Sequence, residues 1–161
     1  MIVEEKCIDN SFFMDDDGTP YLSFVRFNDG NNVWIAELEK DLITLKKETM
    51  RPCIHVSQAW EEVWPRVNEG SYILKHNGIY YMTYSANDTG YESYGVGVSY
   101  ADNPLGPWTK SGDNPLLATD ISKGISAPGH NSVVEAPDED LYIIYHRHAD
   151  ASCQKPNWDR V

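Results

Sequence analysis

Apolar residues along this chain occur in short runs separated by turn-forming residues, and no stretch of helical length repeats them with a period of 3.6. The clearest case is residues 72–82, where Asn77-Gly78 separates two apolar runs. An Asn-Gly pair in this setting is the strongest short-range indication of a β-hairpin. Alternating segments at 33–38 and 95–100 predict one more strand after each of two hairpins. The pattern therefore predicts an all-β protein.

The hairpin pattern occurs three times, at a spacing of about 60 residues. The copies begin at Ser11, Ser71 and Ser132, and they align with one another without a gap. Residues 42–47 and 108–109 predict a weaker fourth strand in the first two copies. We interpret residues 51–68 and 113–128 as loops. Four strands per unit, repeated head to tail, are typical of a β-propeller; a β-sandwich with similar hairpins is the alternative.

The length of 161 residues predicts a single domain over residues 1–161, with units at roughly 8–66, 67–127 and 128–161, the last incomplete. Propellers close with about 4–8 blades, so three units would leave sheet edges exposed at both ends. We therefore predict either a fragment or a homo-oligomer whose copies cover those edges.

Charge and composition narrow the possible partners. A formal net charge of −12 argues against nucleic acid, whose phosphates would repel the chain. No apolar run approaches the roughly 20 residues of a membrane span, so we expect no membrane partner. Three scattered cysteines, Cys7, Cys53 and Cys153, form neither a disulfide framework nor a metal motif. The N-terminus lacks the features of a secretory signal, so we expect a cytoplasmic location or leave it unassigned.

The residue two positions before each repeated serine is chemically reactive. These residues are Asp9, Glu69 and His130. A repeat places equivalent residues at equivalent structural positions, and the first strand of a propeller blade lines the central channel. We therefore expect the three side chains to converge at the mouth of the axis, where gathered polar groups are candidates for function.

Motifs around these residues resemble glycoside hydrolase family 43. IDNSFF at 8–13 is similar to the second blade of that family, NEGSYILKHNG at 68–78 to its third blade, and GHNS at 129–132 to its fourth. YSAN at 84–87 and ADNPLGPW at 101–108 are also typical of the family. The resemblance covers nearly the whole chain in the expected order, with the first blade and the end of the last missing.

The resemblance implies a partial five-bladed β-propeller, with about three blades of four-stranded antiparallel sheet. It implies an inverting glycosidase of the α-L-arabinofuranosidase or β-xylosidase type, acting on arabinose- and xylose-containing plant polysaccharides. Glu69 corresponds to the general acid, and Asp9 to the aspartate that orients this acid and raises its pKa. His130 corresponds to a histidine near the axis that helps to hold Ca2+, often through water. The general base belongs to the first blade.

An inverting hydrolase needs two carboxyl groups about 6.5–9.5 Å apart, one as acid and one to activate water. This chain supplies the acid side only, so we expect hydrolysis by a monomer to be feeble or absent unless another subunit offers the base. The alternative is a catalytically inactive fragment that binds carbohydrate.

Each of these residues also has an ordinary structural interpretation. Glu69 fits a surface carboxylate at a strand start, Asp9 a turn residue and His130 a polar loop residue. His146 and His148 alternate along a strand, where they face either the channel or a solvated edge.

Three residues upstream of Glu69 are candidates for substrate binding: Trp60, Trp64 and Arg66. An indole can stack on a sugar ring, but tryptophan is at least as often a core residue. Arg66 would bind a sugar hydroxyl or pair with Glu61 or Glu62.

Overall fold

The computed structural model describes residues 5–138 and 140–150, which fold into antiparallel sheets joined by loops and short 3-10 turns. The first sheet has the strand order β1 (Cys7–Met14), β2 (Pro20–Phe27), β3 (Asn31–Glu37), β4 (Arg51–Ile54). The second has the order β5 (Asn68–His76), β6 (Ile79–Ala86), β7 (Gly95–Ala101), β8 (Thr109–Lys110). The third is the hairpin of β9 (Gly129–Glu135) and β10 (Leu141–His146).

The all-β prediction is confirmed, and no helix in the described part of the chain has the length and apolar character needed to cross a bilayer. The first strands of the three sheets lie next to one another, β1 beside β5 and β5 beside β9. Over the described residues the sheets do not close into a ring.

The fourth strand of the first sheet is not where the sequence pattern placed it. Residues 42–47 contain only an isolated bridge, in which Leu45 pairs with Leu38. The chain turns at residues 39–44 and again at a 3-10 turn, Lys47–Thr49, and only then returns along β3 as β4. Pro52 lies within this edge strand, where its missing N–H does not interrupt the sheet.

Burial of both faces makes β2 the centre of the first sheet. Tyr21 and Val25 point into a cluster that also contains Met82 from the second sheet. Leu22 and Phe24 point into a second cluster on the opposite face. The first cluster fixes the two sheets against each other, because both contribute fully buried side chains to it.

Hydrogen bonds between neighbouring sheets repeat from one interface to the next. Ser23 Oγ on β2 lies 2.9 Å from Ser71 Oγ on β5. At the next interface Asn131 Nδ2 on β9 donates to Thr83 Oγ1 on β6 over 2.8 Å. Both pairs are buried, so each hydrogen bond compensates for water that its groups lose on folding.

The pairing register corrects one expectation about the repeat. Ser11 pairs with Ser23 and Ser132 with Ile144, but in the second sheet Tyr72, not Ser71, holds the corresponding place opposite Thr83.

The cause of this difference is the length of the turn. A two-residue turn, Asn77-Gly78, joins β5 to β6, whereas residues 15–19 and 136–140 form longer connections in the other hairpins. Register follows turn length, so the shorter turn moves the pairing by one residue.

As a consequence, Gly70 and not Glu69 is the structural equivalent of Asp9 and His130. These three residues share a left-handed backbone, with φ of 56° at Gly70, 55° at Asp9 and 46° at His130. Each lies at the bulge where the first strand of its sheet departs from regular pairing. Glu69 stands one residue earlier, where it still pairs with Ser85 of β6.

A buried ion pair ties the loop before β5 to the outer edge of the second sheet. Lys110 Nζ on β8 lies 2.7 and 2.6 Å from the two carboxylate oxygens of Glu61, which has no exposed surface. The same ammonium donates to the His55 carbonyl and to Asn68 Oδ1, and Tyr84 OH donates to Glu61 Oε1. This network fixes the residue directly before Glu69.

Lys110→Met should lower the free energy of unfolding by about 3–5 kcal/mol, because it leaves the Glu61 carboxylate buried without its cation. Denaturant unfolding of the purified chain measures this. Glu61→Gln combined with Lys110→Met should recover part of the loss, since it removes the unpaired charge.

Lys123→Met is the matched control, because it breaks an exposed ion pair with Asp120. It should leave the unfolding midpoint unchanged. Equal effects of Lys110→Met and Lys123→Met would contradict a structural role for the buried pair.

Candidate active site

Glu69 lies at the start of β5, half-buried and held by two hydrogen-bond donors from different parts of the fold. Tyr94 OH donates to Oε1 over 3.0 Å, and Asn31 Nδ2 donates to Oε2 over 3.2 Å. Asn31 begins β3 of the first sheet, and Tyr94 ends the loop between β6 and β7. Both carboxyl oxygens are therefore fixed in direction by neighbouring elements.

The pKa of Glu69 is raised above its ordinary value. Burial is the largest cause, because desolvation disfavours the charged form, and the negative charge of Asp9 acts in the same direction. The hydrogen bonds from Tyr94 and Asn31, and the proximity of His130, oppose the shift without cancelling it. The result is a carboxyl group that keeps its proton to a higher pH than an exposed glutamate does.

Gly70 brings Asp9 and His130 to either side of β5. The Gly70 N–H donates to Asp9 Oδ2 over 3.1 Å. A Cβ added at Gly70 would lie 3.1 Å from Cγ of His130, which is tighter than an ordinary contact. His130 is in turn anchored by its backbone N–H, which donates to Ser85 Oγ over 2.7 Å. Asp9 and His130 therefore contact the residue next to Glu69, and both lie within electrostatic range of its carboxyl group.

Tyr94 is a site residue that sequence analysis did not identify. Its ring is stacked on that of His146, with centroids 6.0 Å apart and planes 4° from parallel. Gly129 lies against the other side, where an added Cβ would overlap the ring. No spacing or motif marks this tyrosine, because its partners come from β5, β9 and β10.

Two clefts lie close to Glu69, although Glu69 itself is not among the residues that line them. The axial cleft, of about 280 Å3, is lined by residues 9–11, 70–72 and 130–132 from β1, β5 and β9. The side cleft, of about 290 Å3, is lined by residues 29–31 and 64–67. Gly70 opens onto the first, and Asn31, which holds Glu69 Oε2, opens onto the second. Direct neighbours of Glu69 therefore line two different clefts.

A wider groove of about 400 Å3 lies between the second sheet and the β9–β10 hairpin. Its walls are mainly apolar, with Leu74, Tyr81, Leu116 and Leu141 among them. It contains no acid or base in contact with Glu69, and we assign no chemistry to it.

The three upstream candidates occupy different environments. Trp60 packs against the core, with its ring 6.2 Å from that of Tyr84 and its Nε1–H donating to Gln58. The structure therefore does not bring Trp60 to either cleft. Trp64 and Arg66 both line the side cleft.

The ion pair that Arg66 forms is not with Glu61 or Glu62, the partners considered from the sequence. Its guanidinium contacts Asp29 at 3.1 Å, while Glu61 is committed to Lys110.

His146 and His148, the other two histidines considered in the sequence, lie in different environments. His146 lies beside the site, stacked on Tyr94 and 6.0 Å from the ring of His130. His148 is fully buried away from the axis, bridging Ser126 and the Thr89 carbonyl.

The axial cleft offers a small set of donors for Ca2+, a cation that prefers six to eight oxygen ligands. Among the described residues no group of three or more His, Cys, Asp and Glu side chains is placed to hold a metal. Asn131, next to His130, carries a buried side-chain oxygen without a hydrogen-bond partner. These residues fit a cation that is held mainly through water.

Comparison with known proteins gives a consistent result. The sequence profile of glycosyl hydrolases family 43 matches residues 1–160. β-D-Galactofuranosidase xynD from Aspergillus niger is 36% identical over 143 residues, which cover 88% of this chain and 37% of that protein. α-L-Arabinofuranosidase B from Pyricularia oryzae is 31% identical over 145 residues, which cover 80% of this chain and 28% of that protein.

Solved structures agree with the fold. An endo-1,4-β-xylanase from Bacteroides thetaiotaomicron superposes with a TM-score of 0.92 at 43% identity, over 99% of this chain and 54% of that one. A thermostable family-43 glycoside hydrolase gives 0.88 at 38% identity, over 98% and 55%. The chain thus spans about half the length of these structures and less of the curated relatives.

Tyr94→Phe and Asp9→Asn should move the pKa of Glu69 in opposite directions. Loss of the Tyr94 hydroxyl removes a donor to the carboxylate and raises the pKa further. Loss of the Asp9 charge lowers it, while the asparagine oxygen can still accept from Gly70. NMR titration of the 13C-labelled Glu69 carboxyl measures both, and shifts of the same sign would contradict this electrostatic description.

The raised pKa of Glu69 also predicts how stability depends on pH. A carboxyl group with a raised folded-state pKa adds stability that is fully present below its unfolded pKa of about 4.5 and is lost as pH rises through the folded value. Glu69→Gln should therefore be more stable relative to the unmodified chain at about pH 8 than at about pH 4. Denaturant unfolding at both pH values tests this, with the exposed Glu135→Gln as control. A pH-independent difference would show that Glu69 titrates normally.

Proposed function

Since the chain belongs to glycosyl hydrolases family 43, we propose that it carries the general-acid half of a glycosidase acting on arabinose- or xylose-containing plant polysaccharides. The names of its relatives, an arabinofuranosidase, a galactofuranosidase and a xylanase among them, support the substrate class. The observation that carries the proposal is Glu69, a half-buried carboxyl group with a raised pKa, whose neighbours Gly70 and Asn31 line two clefts.

The reaction is a single displacement with inversion. Protonated Glu69 gives its proton to the glycosidic oxygen as the bond from that oxygen to the anomeric carbon breaks. Water attacks the anomeric carbon from the opposite face and loses a proton to a carboxylate base. Tyr94 and Asn31 stabilise the Glu69 carboxylate that the proton transfer leaves behind, because both donate hydrogen bonds to it.

Asp9 acts through Glu69. Its negative charge favours the protonated form of the acid, and its bond to the Gly70 N–H fixes the backbone next to Glu69. In this scheme Asp9 is a positioning residue, held by the same strand that carries the acid.

The base that activates water comes, in this proposal, from outside the described residues. Asp9 is the one carboxylate among the described residues that line the axial cleft, and it already serves Glu69. A further segment of a longer chain that completes a five-bladed propeller would supply the base, as would a second copy in a homo-oligomer. His130 and Asn131 would hold Ca2+ through water, and the cation would supply a fixed positive charge at the axis.

A carbohydrate-binding fragment without turnover is the second candidate. The clefts favour it: both are formed, but only one carboxylate lines the axial cleft, so a sugar could bind there without a base to activate water. The experiment below distinguishes the two.

Loss of the Glu69 carboxyl group should slow phenol release most for leaving groups that most need protonation. We expect Glu69→Gln to lower turnover of phenyl α-L-arabinofuranoside or phenyl β-D-xylopyranoside by about 100-fold or more. The loss should be smaller with the p-nitrophenyl glycosides, whose leaving group needs less protonation. Glu135→Gln, exposed on β9, should match the unmodified chain. Equal and measurable rates for Glu69→Gln and the unmodified chain, with or without added azide, would exclude the acid role.

Added azide replaces base-activated water, because this anion attacks the anomeric carbon without losing a proton. An inverted glycosyl azide from a chain that hydrolyses poorly would show that only the base is missing. If no phenol is released with azide at any protein concentration, the enzyme proposal fails and the binding fragment is left. Light scattering on the same samples gives the oligomeric state.

A further inference from the structure

We propose that the side cleft binds the leaving-group sugar, with a pyranose ring stacked on the indole of Trp64. This inference rests on the proposed role of Glu69 as general acid and assigns a ligand class to the cleft beside it. Among pentose units, a β-linked xylopyranose is the one that fits this cleft best.

The surroundings of Glu69 leave one direction open for the leaving group. On the Oε1 side Tyr94 is almost completely buried, between Gly129 and the ring of His146. On the Oε2 side Asn31 opens into the side cleft. The acid must reach the oxygen between the two sugars, so in this proposal one sugar lies in each of the clefts that Gly70 and Asn31 line. With the anomeric carbon in the axial cleft beside Asp9, the leaving sugar occupies the side cleft.

Trp64 is unusually exposed for its size. Its exposure of 80% exceeds that of every other large apolar side chain in the described part of the chain. An indole in water is stabilised when an apolar surface covers it, and a ligand ring provides such a surface. The C–H groups on the face of a pyranose meet the electron-rich face of the indole.

Backbone contacts hold the segment that follows Trp64 in the chain. Asn31 N–H donates to the Arg66 carbonyl over 3.0 Å, and Asn31 forms an isolated bridge with Val67. Gly30, with φ of 97°, lies so near Arg66 that an added Cβ would fall 2.5 Å from its carbonyl oxygen. The same contacts that place Asn31 at Glu69 therefore also place the segment that carries Trp64.

The charges of the side cleft select a neutral ligand. Arg66 and Asp29 form an exposed ion pair at 3.1 Å, so one positive and one negative group face the same space. A guanidinium has five N–H donors and a carboxylate several acceptor sites, and one contact between them uses only part of this capacity. The pair can donate to and accept from adjacent hydroxyl groups of a sugar.

Pyranose and furanose forms of a pentose differ in the ring face that they can stack on the indole of Trp64. In β-linked xylopyranose every hydroxyl is equatorial, and no hydroxymethyl group projects from the ring. Both ring faces therefore present C–H groups to an aromatic plane. A free arabinose in its furanose form offers a smaller and more puckered surface, so it should bind this cleft less well.

Isothermal titration calorimetry of the purified chain and its variants with xylotriose measures the affinity, and the indole N–H resonance of Trp64 in 15N NMR reports the contact in the unmodified chain. We expect Trp64→Ala to raise the dissociation constant about tenfold or more, and Trp64→Phe to raise it less. Tyr100→Ala is the control, because Tyr100 is an exposed aromatic residue near the end of β7 that lines neither cleft. It should leave the affinity unchanged.

The outcomes separate this inference from the proposed catalytic role. Xylotriose binding that depends on Trp64 and survives in Glu69→Gln supports the subsite even if the chain shows no turnover. Equal affinity of Trp64→Ala and Tyr100→Ala for xylotriose would overturn the subsite, whatever the kinetic test of Glu69 gives. Equal perturbation of the Trp64 indole resonance by methyl α-L-arabinofuranoside and by methyl β-D-xylopyranoside, in which the ring forms are locked, would overturn the pyranose assignment.

Discussion

The site depends on how closely the first strands of neighbouring sheets approach one another. At the bulge of β5 the Gly70 N–H binds Asp9 of the preceding sheet, and the missing side chain of Gly70 makes room for His130 of the following one. A larger residue would meet His130 and would be strained at a φ of 56°. The glycine therefore brings groups from three sheets within electrostatic range of one carboxyl.

That carboxyl group is balanced between two states. Burial and the Asp9 charge favour protonated Glu69, while hydrogen bonds from Tyr94 and Asn31 favour its anion. An acid that must lose its proton during the reaction and regain it afterwards needs both influences, since a one-sided environment would trap it in a single state. The donors come from the first sheet and from the loop after β6, so the balance requires the packed sheets.

Rigidity around the site comes from the second sheet itself. The ion pair of Lys110 with Glu61 joins the outermost strand to the loop before β5, and Lys110 also holds Asn68, the neighbour of Glu69. Burial makes such a pair costly to break, because either partner alone would be a desolvated charge. The same loop continues through Trp64 and Arg66, so one segment connects the acid, the side cleft and the structural core.

The sequence by itself determined the three hairpins and the family and singled out Asp9, Glu69 and His130 as candidates, because alternation, turn residues and motifs are local properties of the chain. It misplaced the fourth strand of the first sheet and the equivalence of Glu69 with Asp9, since turn length and the return path of a loop decide the pairing. Only the tertiary structure identified Tyr94 and Asn31, separated core Trp60 from exposed Trp64, and paired Arg66 with Asp29. Those contacts join residues far apart in the chain, and no local pattern records which distant side chains packing will bring together.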